Sequence, residues 1–359
     1  MSTTKGKNIF TLIMAGGRGE RFWPLSRTKA PKPFVRFTEE PSLIEKTVRR
    51  VSKLTNPGNI FIATNGRYVN LIRKTLRDFP ASNIIAEPAV RDTAPCICLA
   101  AAVIASRAKS SGAVMVVLPA DHLINDEDSF AAGIRDSAKI AMSSGCVVTI
   151  GVKPTYPSTA YGYIQCGNRI FHGHKTVFRD GLSFIEKPCL KKAKELIKGG
   201  NFLWNAGIFA WSLDTFQKLL ERHEPSLYSY FINFKEAATK KDFSSYIKRD
   251  FPSMEKISID YALMEKLDKF VVAEAGFDWD DVGSWDSIAK YFRQDEKKNQ
   301  HCAPHLITVN SKNNIIADYS GKKHLIAILD ADDLIVIMHH DATLICRKSS
   351  AQKIKELVN

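Results

Sequence analysis

The sequence predicts an α/β fold: a doubly wound, mainly parallel sheet followed by a small C-terminal β-rich domain. Three observations predict it. Up to about residue 290, short apolar runs alternate with longer helical stretches. Those runs do not alternate polar with apolar residues, as expected of strands covered on both faces. After Gln300 the pattern changes to five short β-like runs spaced about ten residues apart.

The candidate strands of the first part are Ile9–Met14, Ile60–Thr64, Asn83–Ala86, Val114–Leu118, Val147–Val152, Phe184–Ile185, Gly207–Trp211 and Phe270–Ala273. Helical spacing runs through Ser42–Leu54, Tyr68–Phe79, Ala94–Lys109, Phe130–Met142 and Thr215–Leu220. Strand-helix-strand repetition implies right-handed crossovers. In the tail the runs are Leu306–Val309, Asn314–Ala317, Leu325–Leu329, Leu334–Met338 and Thr343–Arg347. They read as a sandwich or as stacked coils of a β-helix, followed by an amphipathic helix over Ala351–Val358. The charged stretch Gln294–Gln300 is the expected linker, giving domains at 1–293 and 301–359.

Composition narrows the class. Of 359 residues, 45% are hydrophobic and 25% charged, which excludes disordered and collagen-like chains. No run reaches the ~18–20 apolar residues of a membrane helix, and Met1–Phe10 lacks an apolar h-region, so a membrane or secretory role is not expected. Cys96, Cys98, Cys146, Cys166, Cys189, Cys302 and Cys346 form no C-x-x-C pair, a pattern suited to reduced thiols in the cytoplasm. The net charge is +13, and the excess is uneven: residues 1–54 hold twelve Lys/Arg against four Glu, residues 300–359 seven against six Asp/Glu. That asymmetry suggests an anionic partner. Without a basic block interleaved with aromatics, nucleic acid is not the expected one.

The segment Leu12–Phe34 is the most informative. An apolar strand runs into Ala15-Gly16-Gly17-Arg18-Gly19, whose backbone can curl to aim N–H groups at phosphate oxygens from the carboxyl end of a strand. It is neither a Walker loop, which needs G-K-[ST], nor a dinucleotide fingerprint, since Phe22 stands where the third glycine would fall. Pro24, Pro31 and Pro33 oppose a helix, so Arg21–Phe34 is expected to be extended and folded over the site. It carries Arg21, Arg27, Lys29 and Lys32 beside Arg18.

Further motifs follow in order. Glu87-Pro88-Ala89-Val90-Arg91-Asp92-Thr93 leaves a strand and opens a helix that Asp92 or Thr93 can cap. Asp121 ends an apolar strand, where a carboxylate can hold Mg²⁺, and Asp280-Asp281-Val282-Gly283 could supply a second acid. Tyr161-Gly162-Tyr163, Glu186-Lys187-Pro188 and Asn205-Ala206-Gly207 are short and individually weak. The pairs His172/His174, His301/His305 and His339/His340 lack the partners of a metal site and read as solvated or core histidines.

The string G-G-x-G-x-R-x-x-P-L-S-R…P-K-P resembles the signature loop of the sugar-1-phosphate nucleotidylyltransferases. With Trp23-Pro24-Leu25-Ser26-Arg27 and Pro31-Lys32-Pro33-Phe34 it looks most like the mannose-1-phosphate guanylyltransferases. The resemblance continues in order to residue 285, and the tail is similar to the small β domain of short bacterial members, without room for an isomerase domain. It implies a Rossmann-like sheet and transfer of GMP from GTP to mannose 1-phosphate, giving GDP-mannose. By the same resemblance, Ala15, Gly16, Gly17, Arg18, Gly19, Glu87, Pro88 and Thr93 would bind nucleotide, although Asp92 stands where relatives usually carry Asn. Gly162, Glu186, Lys187 and Asn205 would bind sugar phosphate, and Arg21, Lys32 and Lys187 would act catalytically. Asp121 and Asp281 would hold Mg²⁺, and the tail would be available for a homodimer. A sibling enzyme with another hexose or nucleotide, or a non-catalytic sensing subunit, are the alternatives. Degenerate subunits should lose charged site residues, and this chain retains them.

Overall fold

The computed structural model describes residues 6, 8–38, 40–108, 112–171, 175–322 and 324–358. His172, His174 and the end of the helix expected at Ala94–Lys109 lie outside the described residues. The chain divides into two units. One holds residues 1–16, 47–120 and 124–279, the other residues 17–46, 121–123 and 280–359.

The first unit is built on a nine-stranded sheet. Its strands are β1 (Ile9–Met14), β2 (Ile60–Asn65), β3 (Ile84–Glu87), β4 (Val114–Pro119), β5 (Val148–Val152), β6 (Tyr163–Ile170), β7 (Phe178–Ile185), β8 (Phe202–Ser212) and β9 (Phe270–Glu274). The spatial order is β3-β2-β1-β4-β8-β5-β9-β7-β6. The first four run parallel, so their carboxyl ends share one edge. β8 runs antiparallel to β4, β5 and β6 and extends the sheet. The apolar runs of β1, β2 and β4 are buried almost throughout, as two-sided cover requires.

The helices are α1 (Leu43–Val51), along which the chain passes between units, then α2 (Val69–Thr75), α3 (Thr93–Arg107), α4 (Glu127–Ser144), α5 (Leu190–Lys198), α6 (Leu213–His223), α7 (Pro225–Ala237), α8 (Phe243–Asp250) and α9 (Ile259–Ala262). α3 is apolar all round and buried from Ala94 to Ile104, a helix enclosed within the core rather than laid on it. Cys96 and Cys98 pack there, and burial pushes both thiols up. Trp211 stacks on Phe216 at 5.1 Å in the same core.

In the second unit, α10 (Trp285–Ile288) precedes β10 (Arg293–Gln294), β11 (Gln300–Cys302), β12 (His305–Val309), β13 (Ile315–Tyr319), β14 (Leu325–Leu329), β15 (Leu334–His339) and β16 (Ala342–Arg347). One sheet runs β10-β11-β13-β15-β16 and a second pairs β12 with β14. Parallel pairing of β11 with β13, β13 with β15, and β12 with β14 makes stacked coils, one of the two arrangements expected. Buried Asn299 and Asn314 join successive coils: Asn314 Nδ2 donates to Asn299 Oδ1 at 3.0 Å, and Leu334 N donates to Asn314 Oδ1 at 2.8 Å. Gln294–Gln300 is therefore tied into the sheet at both ends rather than being a free linker.

Residues 17–46 group with these coils because of one aromatic cluster. Phe22, Phe37 and Trp285 are buried edge to face at 4.8–6.2 Å, above Ile315, Ile335 and Ile337. Each such ring contributes about 2–3 kcal/mol by burial. The segment expected to be extended is interrupted by two short 3₁₀ turns: Glu20–Phe22, entered through Gly19 at φ +67°, and Lys32–Phe34, where φ near −65° at Pro33 suits a tight turn as well as an extended chain. The expected terminal α-helix is instead 3₁₀ over Lys348–Leu357, with Ala351 and Ile354 buried.

Candidate active site

The expected residues fall into one group in each unit. In the second unit the chain turns at Gly19 with φ +67°, and a Cβ there would lie 2.2 Å from the Lys32 Cβ. Only glycine lets the two segments touch. Ser26 donates its hydroxyl to the Gly19 carbonyl, and Lys32 N–H donates to the Arg18 carbonyl at 3.3 Å. Lys32 is 6% exposed. Its Nζ lies 2.8 Å from Asp121 Oδ2 and donates to the Asp281 carbonyl at 2.6 Å.

The two acids are brought together by backbone. Leu123 and Asp280 exchange hydrogen bonds at 2.9 and 3.0 Å, an antiparallel bridge that lays residues 121–122 beside 281–282. Val282 has φ +47°, a conformation β-branched residues rarely adopt. Complete burial and donation of its N–H to Asp280 Oδ1 at 2.8 Å hold it there. Arg21, Lys32, Asp121, Asp281 and Lys355 line one hollow of about 330 Å³ with Gly19 and Gly283. Burial works against ionisation of Asp121, but the charges of Lys32 and His122 and the hydrogen bond from Lys32 outweigh it and hold the carboxyl below its usual range.

The first unit carries the second group. Gly162 and Asn205 are joined by Asn205 N–H donating to the Gly162 carbonyl at 2.8 Å. A Cβ on Gly162 would lie 2.6 Å from Glu186 Oε2, so glycine makes room for that carboxylate. Glu186 pairs with Lys187, which stands at φ +44°. Burial opposes the charge of Lys187, yet Glu186 and Asp260 outweigh it and raise its affinity for the proton. Asn205 accepts at Oδ1 from Gly207 N and Thr149 Oγ1, both at 3.1 Å, and donates from Nδ2 to Asp260 Oδ1 at 3.1 Å. A bidentate grip on a ligand is thus not open to Asn205. One amide hydrogen is left to offer.

Glu87, at the end of β3, is buried, with Oε2 3.9 Å from where a Cβ on Gly16 would sit. Burial pushes its carboxyl up to about 7, against a smaller opposite effect of a hydrogen bond with Cys96. Of the two candidate caps for α3, Asp92 is the one used: Thr93 N donates to Asp92 Oδ1 at 2.7 Å. The Thr93 hydroxyl accepts from Ile259 N at 2.8 Å and ties α3 to α9.

Two residues escaped the sequence reading. Asp260 on α9 is half-buried, and its desolvation together with nearby Glu186 raises its carboxyl to about 7 against the opposing charge of Lys187. A lone acid among Ile259, Ala262, Leu263 and Met264 was the available signal. Lys355 had none, since nothing local distinguishes it from other tail lysines. As metal donors, Asp121 and Asp281 offer the hard oxygens that Mg²⁺ takes beside substrate phosphates. Among the described residues no cluster of three or more His, Cys, Asp or Glu converges on a metal position. Two carboxylate side chains fit an ion of the kind that keeps water and shares itself with substrate phosphates.

Comparison with known proteins follows the same lines. A nucleotidyl transferase model matches residues 10–298, and a model of the mannose-phosphate isomerase/GMP-like β-helix domain matches residues 305–359. The chain is 35% identical over 353 residues to a mannose-1-phosphate guanylyltransferase of Sinorhizobium fredii, covering 98% of this chain and 67% of that protein. It is 32% identical to a mannose-1-phosphate guanylyltransferase of Escherichia coli, covering 98% of this chain and 75% of that one. A crystal structure of mannose-1-phosphate geranyltransferase from Thermus thermophilus superposes with a TM-score of 0.85 at 32% identity, covering 98% of both chains. No helix among the described residues is long and apolar enough to cross a membrane. With a family model spanning most of its length and relatives of this identity, the chain belongs to the nucleotidyl transferase family, among the mannose-1-phosphate guanylyltransferases.

Proposed function

We propose that the chain transfers GMP from GTP to mannose 1-phosphate, forming GDP-mannose and releasing pyrophosphate. The observation that carries this reading is the hollow in which Arg21, Lys32, Asp121 and Asp281 meet the glycine turn. A phosphate oxygen of the sugar phosphate attacks the α-phosphorus. The new P–O bond forms as the bond to the β-phosphate bridge breaks, and the electron pair leaves with pyrophosphate. The nucleophile's second pKa is about 6, so it is largely ionised at neutral pH and needs no general base. Repulsion between anions is the obstacle, and fixed cations lower it.

In this reading the backbone of Ala15–Gly19 cradles phosphate, and Arg21 meets the leaving pyrophosphate. Lys32 keeps Asp121 ionised and adds positive charge beside it. Glu87, Pro88 and Thr93 face the base: an ionised Glu87 matches the N1–H and 2-amino donors that guanine presents and adenine lacks. Glu186, the free hydrogen of Asn205 and the open backbone at Gly162 serve the sugar, while Lys187 meets its phosphate. Asp121 and Asp281 would hold Mg²⁺. Bound there, the ion would supply charge neutralisation between the two substrates. The seven cysteines are all free thiols, in keeping with a cytoplasmic enzyme.

The test is pyrophosphate release across four nucleoside triphosphates and several hexose 1-phosphates with Mg²⁺. GTP with mannose 1-phosphate should be the best pair. Absence of turnover with that pair, or equal turnover with ATP, overturns the reading.

A further inference from the structure

The hollow of the second unit contains a cation that no sequence motif announces. Lys355 comes from the 3₁₀ segment Lys348–Leu357 and lines the same space as Arg21, Lys32, Asp121 and Asp281. Its position is fixed by its neighbours. Ile354 and Ala351 are buried in the cluster that also holds Phe22, so the segment is seated against the turn that carries Arg21.

The charges around the hollow are unequally occupied. Lys32 is paired with Asp121, and Glu20 lies 3.6 Å from Arg18. Among the described residues neither Arg21 nor Lys355 has a carboxylate partner, yet both face the same space. Two unpaired cations from different parts of the chain, converging beside a glycine turn, suit a ligand with several negative oxygens. The attacking sugar phosphate carries one phosphoryl group, whereas the leaving group carries two.

Resting on the function proposed above, we infer that Lys355 is a pyrophosphate-binding residue, holding the β- and γ-phosphates of the nucleotide together with Arg21. The C-terminal segment is then part of the nucleotide site as well as of the β coil.

The test uses the full chain with Lys355→Met, which keeps the apolar stem, and Lys355→Arg, which keeps the charge. Inorganic pyrophosphate with Mg²⁺ is titrated calorimetrically against each, with thermal unfolding as the control for folding. Lys355→Met should weaken pyrophosphate binding on the order of 10-fold or more, with Lys355→Arg restoring most of it. In turnover, Lys355→Met should raise KM for GTP and leave that for mannose 1-phosphate unchanged. Pyrophosphate binding within twofold of the parent in a folded Lys355→Met chain overturns the assignment. So does failure of Lys355→Arg to restore binding, or an equal effect on both substrates. If the parent binds pyrophosphate but never turns over GTP with mannose 1-phosphate, the function fails while the titration still decides Lys355.

Discussion

The Lys32 ammonium lies 2.8 Å from Asp121 Oδ2, a contact between a residue of the glycine-loop segment and one just past the end of β4. The same nitrogen donates to the Asp281 carbonyl, so one buried cation holds both acidic segments. Lys32 is therefore structural and electrostatic at once, and its replacement should be read in both ways.

Lys32→Met should lower kcat/KM by about 10²–10³, as expected on losing a preorganised charge. It should also lower stability by about 1–3 kcal/mol, because the Asp121 carboxylate loses its partner. The Asp121 carboxyl is held below its usual range in the folded protein. Its contribution is present above the unfolded value of about 3.9 and is lost as pH falls through the lower folded value. Acid unfolding of Lys32→Met should consequently begin at higher pH than in the parent, as followed by circular dichroism. An unchanged acid midpoint would refute the role given to the pair.

Gly19→Ala places a methyl group 2.2 Å from Lys32 Cβ in a backbone region where alanine is strained. Activity should fall at least as far as in Lys32→Met, with a lower melting temperature. Crystals of the variant should show Lys32 withdrawn from Asp121. Full activity would mean the turn is less constrained than its geometry implies.

Glu87 and Asp260 both have carboxyls raised to about 7 by burial. Their sign is opposite to that of Asp121. Each favours the folded state below the unfolded value of about 4, and that contribution disappears as pH rises through about 7. Asp260→Asn should flatten the fall in stability between pH 4 and 8 and be more stable than the parent by about 1 kcal/mol or more at pH 8. Calorimetric melting across that range checks it. Glu87→Gln should narrow the preference for GTP over ATP, seen in kcat/KM for the two.

The outer face of β12 and β14 exposes Ile307, Val309, Leu325 and Leu329, the last two at 61% and 67%. If a second copy of the chain covers this face, Leu325→Lys with Leu329→Glu should shift the protein to monomer in light scattering while preserving its fold. A parent that is already monomeric at micromolar concentration would sink the homodimer.

Some of this was legible because the signal was local. β1, β2 and β4 are short, mainly apolar runs, each followed within a few residues by Gly16, Gly66 or Asp121, and their existence as strands needed no distant information. α7 was not legible. Its run Tyr228, Tyr230, Phe231, Ile232 and Phe234 has the composition of a strand, and packing against α3 decides it as a helix. β6 was hidden by exposed polar residues such as Asn168 and Arg169, while β7 showed only its last two residues. In the site, Asp121 and Asp281 carried motifs. Asp260 and Lys355 owe their places to contacts made far along the chain, through Thr93 and Phe22, which no local pattern encodes.

The chain enters its second unit three times, and the glycine turn rests on rings contributed more than 250 residues later, Trp285 among them. A chimera that grafts a foreign β coil at residues 294–300 would present Phe22 and Phe37 with strands shaped for other partners. Exchange of that coil between relatives should succeed only when the loop travels with it, so the two ought to be inherited as one block.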